Sequence, residues 1–235
     1  MLGLGNKLQK TGLKKIYPGV ATGGLVLKSD FGNREVVPIS DGSSVLDGST
    51  DHIATGLQPD FIHTNATFSY WVKLADFTDM QTSGCHNTKR FYLGFNTTSA
   101  MFGVGGTAKT STDVSSYIST NTWIHLCLVA EDGVSKYYID GVQRDSSTYT
   151  QSSGTNPNTN LLIGATSHTS TIYHAEGNIC NVGLWSAALT EAQIKSIMYK
   201  KYGGLNTSEK ANLVSWWNLS ANAKDLHGGN HGTLS

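Results

Sequence analysis

The pattern that most restricts the fold of this chain is a series of short segments in which apolar and polar residues alternate. In the clearest one, residues 66–74 (ATFSYWVKL), every second residue is large and apolar: Phe68, Tyr70, Val72 and Leu74. A period of two predicts a half-buried β-strand. Similar segments follow, separated by turn residues: RFYLGFN, AMFGVGG, WIHLCLVAE, SKYYIDG, NLLIGAT and NICNVGLW. Several such strands predict an antiparallel sandwich or barrel, and no helical pattern alternates with them as in a parallel α/β sheet.

One short helix is predicted after these strands. Thr190 and Gln193 have the spacing of a capping box, in which the two side chains bind the first free N–H groups of a helix. The apolar residues that follow fall at helical spacing and are Ile194, Ile197 and Met198. Gly203 and Gly204 supply a stop signal. The later segment LVSWWNL (residues 213–219) is predicted to be a strand that pairs near the first ones.

Charge is scarce and unevenly distributed. Lys and Arg number 17, Asp and Glu also number 17, and charged residues make up 14% of the 235. Five of the basic residues and no acid precede Asp30, which leaves 12 basic against 17 acidic residues from there on. Zero net charge gives no general attraction to nucleic acid. No stretch approaches the roughly 20 apolar residues of a membrane-spanning helix. We therefore expect neither nucleic acid nor a membrane as a partner.

The first 40 residues differ from the remainder, so we divide the chain into an arm and connector (1–40) and a domain (41–235). Glycines deny the arm a stable helix. The arm is expected to dock on an acidic neighbouring subunit through its lysines, which are Lys7, Lys10, Lys14 and Lys15. The alternative is a frayed terminus. No apolar run of about 7–15 residues follows the lysines, so no secretory signal is expected.

The three cysteines have no close pair in the sequence. An odd number at these spacings predicts neither a disulfide framework nor a zinc site. Cys127 and Cys180 fall inside apolar strand-like runs. We expect buried thiols in a chain made in a reducing cytoplasm.

Six segments resemble, in the same order, those of laminin-G-like, concanavalin-A-like jelly rolls. They are residues 44–52 (SVLDGSTDH), 66–74, 123–125 (WIH), 138–141 (YIDG), 177–194, and LVSWWNL with DLHGGNHGTL. The resemblance covers roughly residues 41–235. It implies an all-β fold, a two-sheet antiparallel jelly-roll sandwich with one short amphipathic helix and an N-terminal arm. It also implies a domain used mostly for binding carbohydrate or protein surfaces.

The N-terminal MLGLGN, followed by a short arm, SDGSSVLDGSTDHI and the jelly roll, resembles proteins of tailed bacteriophages, particularly marine ones. This resemblance implies a non-enzymatic virion structural protein, such as a capsid decoration or fibre protein. Its partners would be capsid or other virion subunits, and it would reach the virion from the host cytoplasm. The alternative is a carbohydrate-binding, lectin-like module that recognises a cell-surface glycan. Both leave open whether the chain forms a homo-oligomer.

Enzymatic activity is not expected. Related β-sandwich glycosidases carry paired Glu residues in an E-x-D-x-E pattern, because retaining hydrolysis needs two close carboxyl groups. The five glutamates of this chain, at positions 35, 131, 176, 191 and 209, do not make that spacing. The sequence has no G-x-S-x-G, H-E-x-x-H or phosphate-binding P-loop. A Ser/His/Asp site assembled from distant residues stays open.

A calcium site is the one cofactor that the resemblance suggests, since many relatives hold Ca²⁺ at the sandwich rim. Asp47 and Asp51 flank a Gly-Ser-Thr turn and are the metal candidates. Asn178 and Asn181 stand where the family often carries acids, and calcium affinity rises with the number of carboxylates. The alternative is that the two aspartates make Asx turns. Apart from calcium, no cofactor is expected.

Sugar recognition requires an exposed aromatic ring with polar groups around it. Tyr149, Tyr173 and Trp71 are the candidates. Three loops rich in Asn, His, Tyr and Ser could supply hydrogen bonds: residues 81–90, 152–160 and 167–177. The alternative is that these loops are solvated turns.

Overall fold

A computed structural model describes residues 27–29, 36–38, 40–78, 80–85, 90–150, 160–168 and 171–235. These residues form eighteen strands and one α-helix, α1 (Glu191–Ile197). The strands are β1 (Leu27–Ser29), β2 (Val36–Pro38), β3 (Ser44–Asp47), β4 (Ile53–Ala54), β5 (Asn65–Leu74), β6 (Met80–Cys85), β7 (Arg90–Asn96), β8 (Ser99–Gly105), β9 (Thr107–Asp113), β10 (Trp123–Glu131), β11 (Val134–Ile139), β12 (Val142–Thr148), β13 (Leu162–Ile163), β14 (Ala165–His168), β15 (Thr171–His174), β16 (Glu176–Trp185), β17 (Leu213–Trp217) and β18 (Thr233–Leu234). Short 3₁₀ turns span Asp60–His63, Ser115–Tyr117 and Tyr202–Gly204.

Two sheets pack face to face, which confirms the predicted all-β sandwich. The small sheet has the order β12-β11-β10-β5-β16-β17, with β3 also beside β16. The large sheet has the order β18-β4-β13-β6-β7-β8-β9, and the β14–β15 hairpin joins it at β6. All pairings are antiparallel except the one between β14 and β6. The β1–β2 hairpin is a separate two-stranded sheet.

The two ends of the domain meet, as the sequence predicts for LVSWWNL. Strands β3 and β17 lie one after the other along the same edge of β16. Strand β18 pairs with β4, and the Ser235 backbone N–H donates to the carbonyl of His52 at 3.0 Å. The sandwich is thus closed by its own first and last strands.

Aromatic rings fill the space between the sheets. Phe68 and Tyr70 of β5 lie 5.1 Å apart between ring centroids, and Phe68 lies 6.0 Å from Phe91 of the large sheet. Tyr137 stacks on Phe102 at 5.4 Å. Burying each such side chain contributes about 1.5–3 kcal/mol to folding. The main core therefore joins the two sheets directly.

The prediction that β5 is half-buried is wrong, because its polar face is covered as well. The Thr67 hydroxyl donates to the carbonyl of Ala187 at 2.8 Å and accepts the N–H of Leu189 at 2.9 Å. The indole N–H of Trp71 donates to the carbonyl of Met198 at 2.6 Å. The chain that runs into and out of α1 therefore lies across the outer face of the small sheet.

Helix α1 confirms the capping box and corrects its predicted end. Thr190 and Gln193 make both reciprocal hydrogen bonds of the box, and the predicted apolar stripe is buried. The helix ends at Ile197, well before Gly203, and residues 202–204 form a separate 3₁₀ turn. The turn after β11 packs beneath the helix. A Cβ atom on Gly141 would lie 2.8 Å from the Cγ atom of Lys195.

Candidate functional site

Several predicted functional residues lie outside the part of the chain that the structure describes. These are the four arm lysines, Lys7, Lys10, Lys14 and Lys15, together with residues 86–89 of the predicted loop at 81–90 and residues 152–159 of the loop at 152–160. Virion attachment through the arm therefore stays a prediction.

Asp47, one of the two calcium candidates, binds the turn that follows it. Its carboxylate accepts the backbone N–H groups of Ser49, Thr50 and Asp51 at 2.8–2.9 Å, and also the hydroxyls of Ser49 and Thr50. These bonds, above all the one from Asp51, hold the pKa of Asp47 well below its usual range. The geometry is that of an Asx turn, the alternative interpretation.

The two asparagines named for calcium lie in β16. Asn178 donates through Nδ2 to the Ser43 hydroxyl at 3.2 Å, and Asn181 is buried at a bulge of β16. The described residues contain no group of three or more His, Cys, Asp or Glu that could hold a metal ion. The Asp47–Asp51 calcium site stays a prediction.

Two of the three predicted aromatic platforms are buried. Trp71 is 5% exposed beneath the residues after α1, and Tyr149 is 7% exposed with its hydroxyl donating to the carbonyl of Thr64. Both are excluded as sugar-stacking surfaces, because neither ring faces solvent. Tyr173, in β15, is partly exposed. Sequence alone could not separate the three, because their exposure depends on distant segments.

The outer faces of the two sheets differ in what lies on them. Helix α1 and its flanking segments cover the small sheet, and the two apolar clusters outside the main core both lie there. Within the described residues no α-helix lies on the outer face of the large sheet. On that face, Tyr173 of β15 is partly exposed.

One row of residues crosses the large sheet at Tyr173. Strand register pairs Tyr173 with Thr166, Thr166 with Gly84, Gly84 with Tyr92, and Tyr92 with Gly103. Paired residues of neighbouring strands share a face of the sheet. The row therefore places two tyrosines on the outer face with only small residues between and beside them.

Tyr92 forms the floor of this row. A Cβ atom on Gly103 would lie 2.7 Å from Cε1 of Tyr92, so the ring rests on the bare backbone of β8. Tyr92 is 2% exposed. Burial raises the pKa of Tyr92, Arg90 lowers it and Tyr173 raises it, so these side chains lie near one another. In the predicted strand RFYLGFN, Tyr92 lies between Phe91 and Leu93, so its side chain is expected on the face of the strand opposite to theirs. This alternation could have identified Tyr92 as an outer-face residue.

Thr166 supplies an unused polar group next to Tyr173. It is fully buried, and its hydroxyl has no hydrogen-bond partner among the described residues. Buried hydroxyl groups are nearly always paired, because leaving one unpaired is costly. The partly exposed ring of Tyr173 is the element of this row that a sugar ring can contact, and the buried Thr166 hydroxyl lies next to it in strand register. We call Tyr173, Thr166 and Tyr92 the tyrosine row.

The structure also contains a serine–histidine pair, which bears on the open question of catalysis. The Ser69 hydroxyl and Nε2 of His125 are 2.8 Å apart, but Ser69 is 4% exposed and His125 only 1%. The nearby Asp140 carboxylate accepts the backbone N–H of His125 rather than the ring. Burial lowers the pKa of His125 to about 3. The pair lies beneath the α1 region, so it has no open approach for a substrate.

A shallow cleft of about 250 Å³ lies beside α1. Its polar lining is occupied internally, since Glu209 accepts the Ser196 hydroxyl at 2.6 Å and the backbone N–H of Asn206 at 2.9 Å.

No helix in the described part of the chain is both long and apolar enough to cross a membrane.

Solved structures with a similar fold include three that differ in assembly and ligand. A candidate carbohydrate-binding protein from Bacteroides ovatus has a TM-score of 0.64 and 20% identity, and the match covers 81% of this chain but 57% of that one. The heptameric SAP-like pentraxin of Limulus polyphemus has a TM-score of 0.52 and 14% identity over 66% and 80% of the two chains. The CBM40 of the Ruminococcus gnavus IT-sialidase, bound to α2,3 sialyllactose, has a TM-score of 0.53 and 11% identity over 67% and 96%.

At these identities the likeness shows the fold alone. No curated protein sequence matches the chain. A family model described as the concanavalin A-like lectin/glucanases superfamily matches residues 47–195, which is more than half of the chain. This stretch runs from the Asp47 turn through the large sheet to α1, and it includes the tyrosine row. The chain therefore belongs to the concanavalin A-like lectin/glucanases superfamily.

Proposed function

We propose that the chain is a non-catalytic carbohydrate-binding module whose glycan contacts the tyrosine row on the outer face of the large sheet. One observation carries this proposal: the partly exposed ring of Tyr173 lies next in strand register to the buried hydroxyl of Thr166, which has no partner among the described residues. Family membership and the two glycan-related neighbours support it.

The chemistry of the row suits a sugar. The face of an aromatic ring is an apolar surface against which the C–H groups of a pyranose can pack. A few placed polar groups then fix the orientation of a ligand and its specificity. Here the polar group next to Tyr173 in strand register is the hydroxyl of Thr166.

The test is glycan-array binding of the full chain, followed by calorimetric titration with the best ligand. We expect Tyr173→Ala to weaken binding about tenfold or more, because it removes the stacking surface. Thr166→Val keeps the shape and removes the hydroxyl, and should weaken binding by a smaller factor. Tyr202→Ala is the matched control, since Tyr202 is a partly buried tyrosine packed with the α1 cluster.

The outcomes separate clearly. Folded protein that binds nothing on a broad array would overturn the proposal. Binding that Tyr173→Ala leaves intact would move the site away from the tyrosine row. Loss of binding on addition of a chelator would instead support the calcium-dependent form predicted for Asp47 and Asp51.

A second candidate function is attachment to a virion through the basic arm, with the sandwich displayed outward. The charge division favours it, because five basic residues precede the first acid while the remainder is net acidic. Contacts between lysines and an acidic subunit should weaken with salt, which screens exposed charges. Deleting residues 1–20 should abolish particle binding, and undiminished binding would refute this function. The two functions are compatible in one protein.

A further inference from the structure

The edge of the sandwich formed by β9 and β12 carries a charged group that the chain itself does not complete. Arg144, in β12, lies flat on Tyr117 of the 3₁₀ turn after β9, with 3.6 Å between its guanidinium carbon and the ring centroid. Tyr117 is 44% exposed. The pair is therefore partly open to solvent.

Within the described residues, Arg144 makes no hydrogen bond and no ion pair. Its Nε atom is buried without a partner. A guanidinium carries five N–H donors, and a buried donor is rarely left unpaired. The stacked ring satisfies the charge in part but accepts none of these donors in a hydrogen bond.

The nearby acids are already engaged. Asp145 accepts the Lys109 ammonium and the Thr112 hydroxyl, which tie β12 to β9 across the sandwich edge. The Asp140 carboxylate accepts the backbone N–H of His125 at 2.9 Å. Neither comes within ion-pair distance of Arg144. Arg144 interacts with Asp140 only at longer range, where it lowers the pKa of that carboxyl, and the described residues supply no acceptor for its Nε donor.

We propose that Arg144 and Tyr117 form a second ligand site, which takes the carboxylate of an acidic sugar. The planar fork of a guanidinium matches a carboxylate in a bidentate pair, and stacking on Tyr117 holds the fork in place. Val142, two residues before Arg144 in β12, is 36% exposed, so an apolar side chain of the same strand is also open to solvent. The site goes beyond the proposed function, because it uses the edge of the small sheet and none of the tyrosine row.

The attraction at this site is local. From Asp30 onward the chain has 12 basic and 17 acidic residues, so its general field repels anions. A carboxylate that binds must therefore do so through direct contact with Arg144. Binding should weaken as salt is added, and it should require the sugar ring for full affinity.

The experiment is an NMR titration of the ¹⁵N-labelled full chain with glucuronic acid, glucose and acetate. The Nε–Hε signal of Arg144 reports on the proposed contact directly in the unmodified protein. We expect it to shift with glucuronic acid, to shift less with acetate and to stay unchanged with glucose. Arg144→Gln should weaken glucuronic acid binding about tenfold or more, since a charged bidentate pair is lost. Lys224→Gln removes the same charge elsewhere and should leave binding unchanged.

Three results would overturn the proposal: an Arg144 signal that does not move with glucuronic acid, undiminished binding by Arg144→Gln, or equal affinity for acetate and glucuronic acid. The last would leave an anion site without sugar recognition. Should Arg144→Gln not fold, Tyr117→Leu tests the same contact from the other side. Tyr173→Ala should leave the glucuronic acid shift intact, so failure of the tyrosine row is distinguishable from failure of this site.

Discussion

Lowering the pH from 7.5 to 5 should destabilise the protein mainly through His125. Burial lowers its pKa from 6.5 to about 3 in the folded chain, whereas in the unfolded chain the ring is solvated. Between these two values the unfolded chain binds a proton that the folded chain does not. Stability from the neutral ring is therefore complete above about pH 6.5 and is lost as the pH falls through this window.

The size of the loss follows from the two pKa values. At pH 5 the unfolded imidazole is almost fully protonated and the folded one is still neutral, which costs about 2 kcal/mol relative to pH 7.5. The adjacent Asp140 acts in the opposite direction. Its pKa is raised, mainly by burial, so the folded chain takes up that proton first. Comparing variants that share Asp140 removes its contribution.

The assay is urea unfolding at both pH values for the wild type and for His125→Gln, whose amide can still reach Ser69. We expect the variant to lose about 2 kcal/mol less than the wild type on acidification, whatever its stability at pH 7.5. His227→Gln, which removes an exposed imidazole, should keep the wild-type dependence. Equal losses for wild type and His125→Gln would refute the reasoning.

Three further predictions concern stability and thiol reactivity. Asp225→Asn should lower the free energy of unfolding by about 1–3 kcal/mol, because the Asp225 carboxylate accepts three backbone N–H groups of the C-terminal turn and that of Trp216 in β17; an unchanged urea midpoint would contradict this. Gly103→Ala should cost about 1–3 kcal/mol in the same assay, since its methyl group would collide with Tyr92; wild-type stability would show that the ring moves freely. Burial raises the pKa of two cysteines to about 12 and that of the third even further, so native protein should not react with Ellman's reagent at pH 8; rapid reaction before unfolding would argue against burial of Cys85, Cys127 and Cys180.

Single strands and the helix start could be predicted from the sequence. Which strand faces are buried by distant segments of the chain could not. Alternation correctly identified β5, and Thr190 with Gln193 correctly located the start of α1. The polar face of β5 was wrongly predicted to be exposed, because alternation of residue types indicates which side chains are polar and not which are exposed to solvent. Thr67 is buried only because its hydroxyl finds Ala187, 120 residues later. Such long-range partners leave no mark on a single strand.

The candidate site shows the same division. Tyr173 was among the aromatic candidates, together with Trp71 and Tyr149. Trp71 is removed from the surface by Met198, which lies 127 residues further along the chain. Thr166 carried no signal at all, because an unpaired hydroxyl can be recognised only when its neighbours are known.

The sandwich separates the parts that hold it together from the parts available for recognition. Beneath α1, polar groups from distant strands satisfy one another, as Ser69 does with His125 and Thr67 with Leu189. These pairs are buried, although the Nδ1 atom of His125 has no partner among the described residues, and the neutral imidazole makes this side the one that acid weakens. The large sheet and the β9–β12 edge instead keep a buried hydroxyl and a stacked guanidinium without partners in the described chain. A buried polar group without a hydrogen-bond partner lowers the stability of the fold. An external ligand would therefore add the most favourable hydrogen bonds at Thr166 and Arg144, where such groups lie.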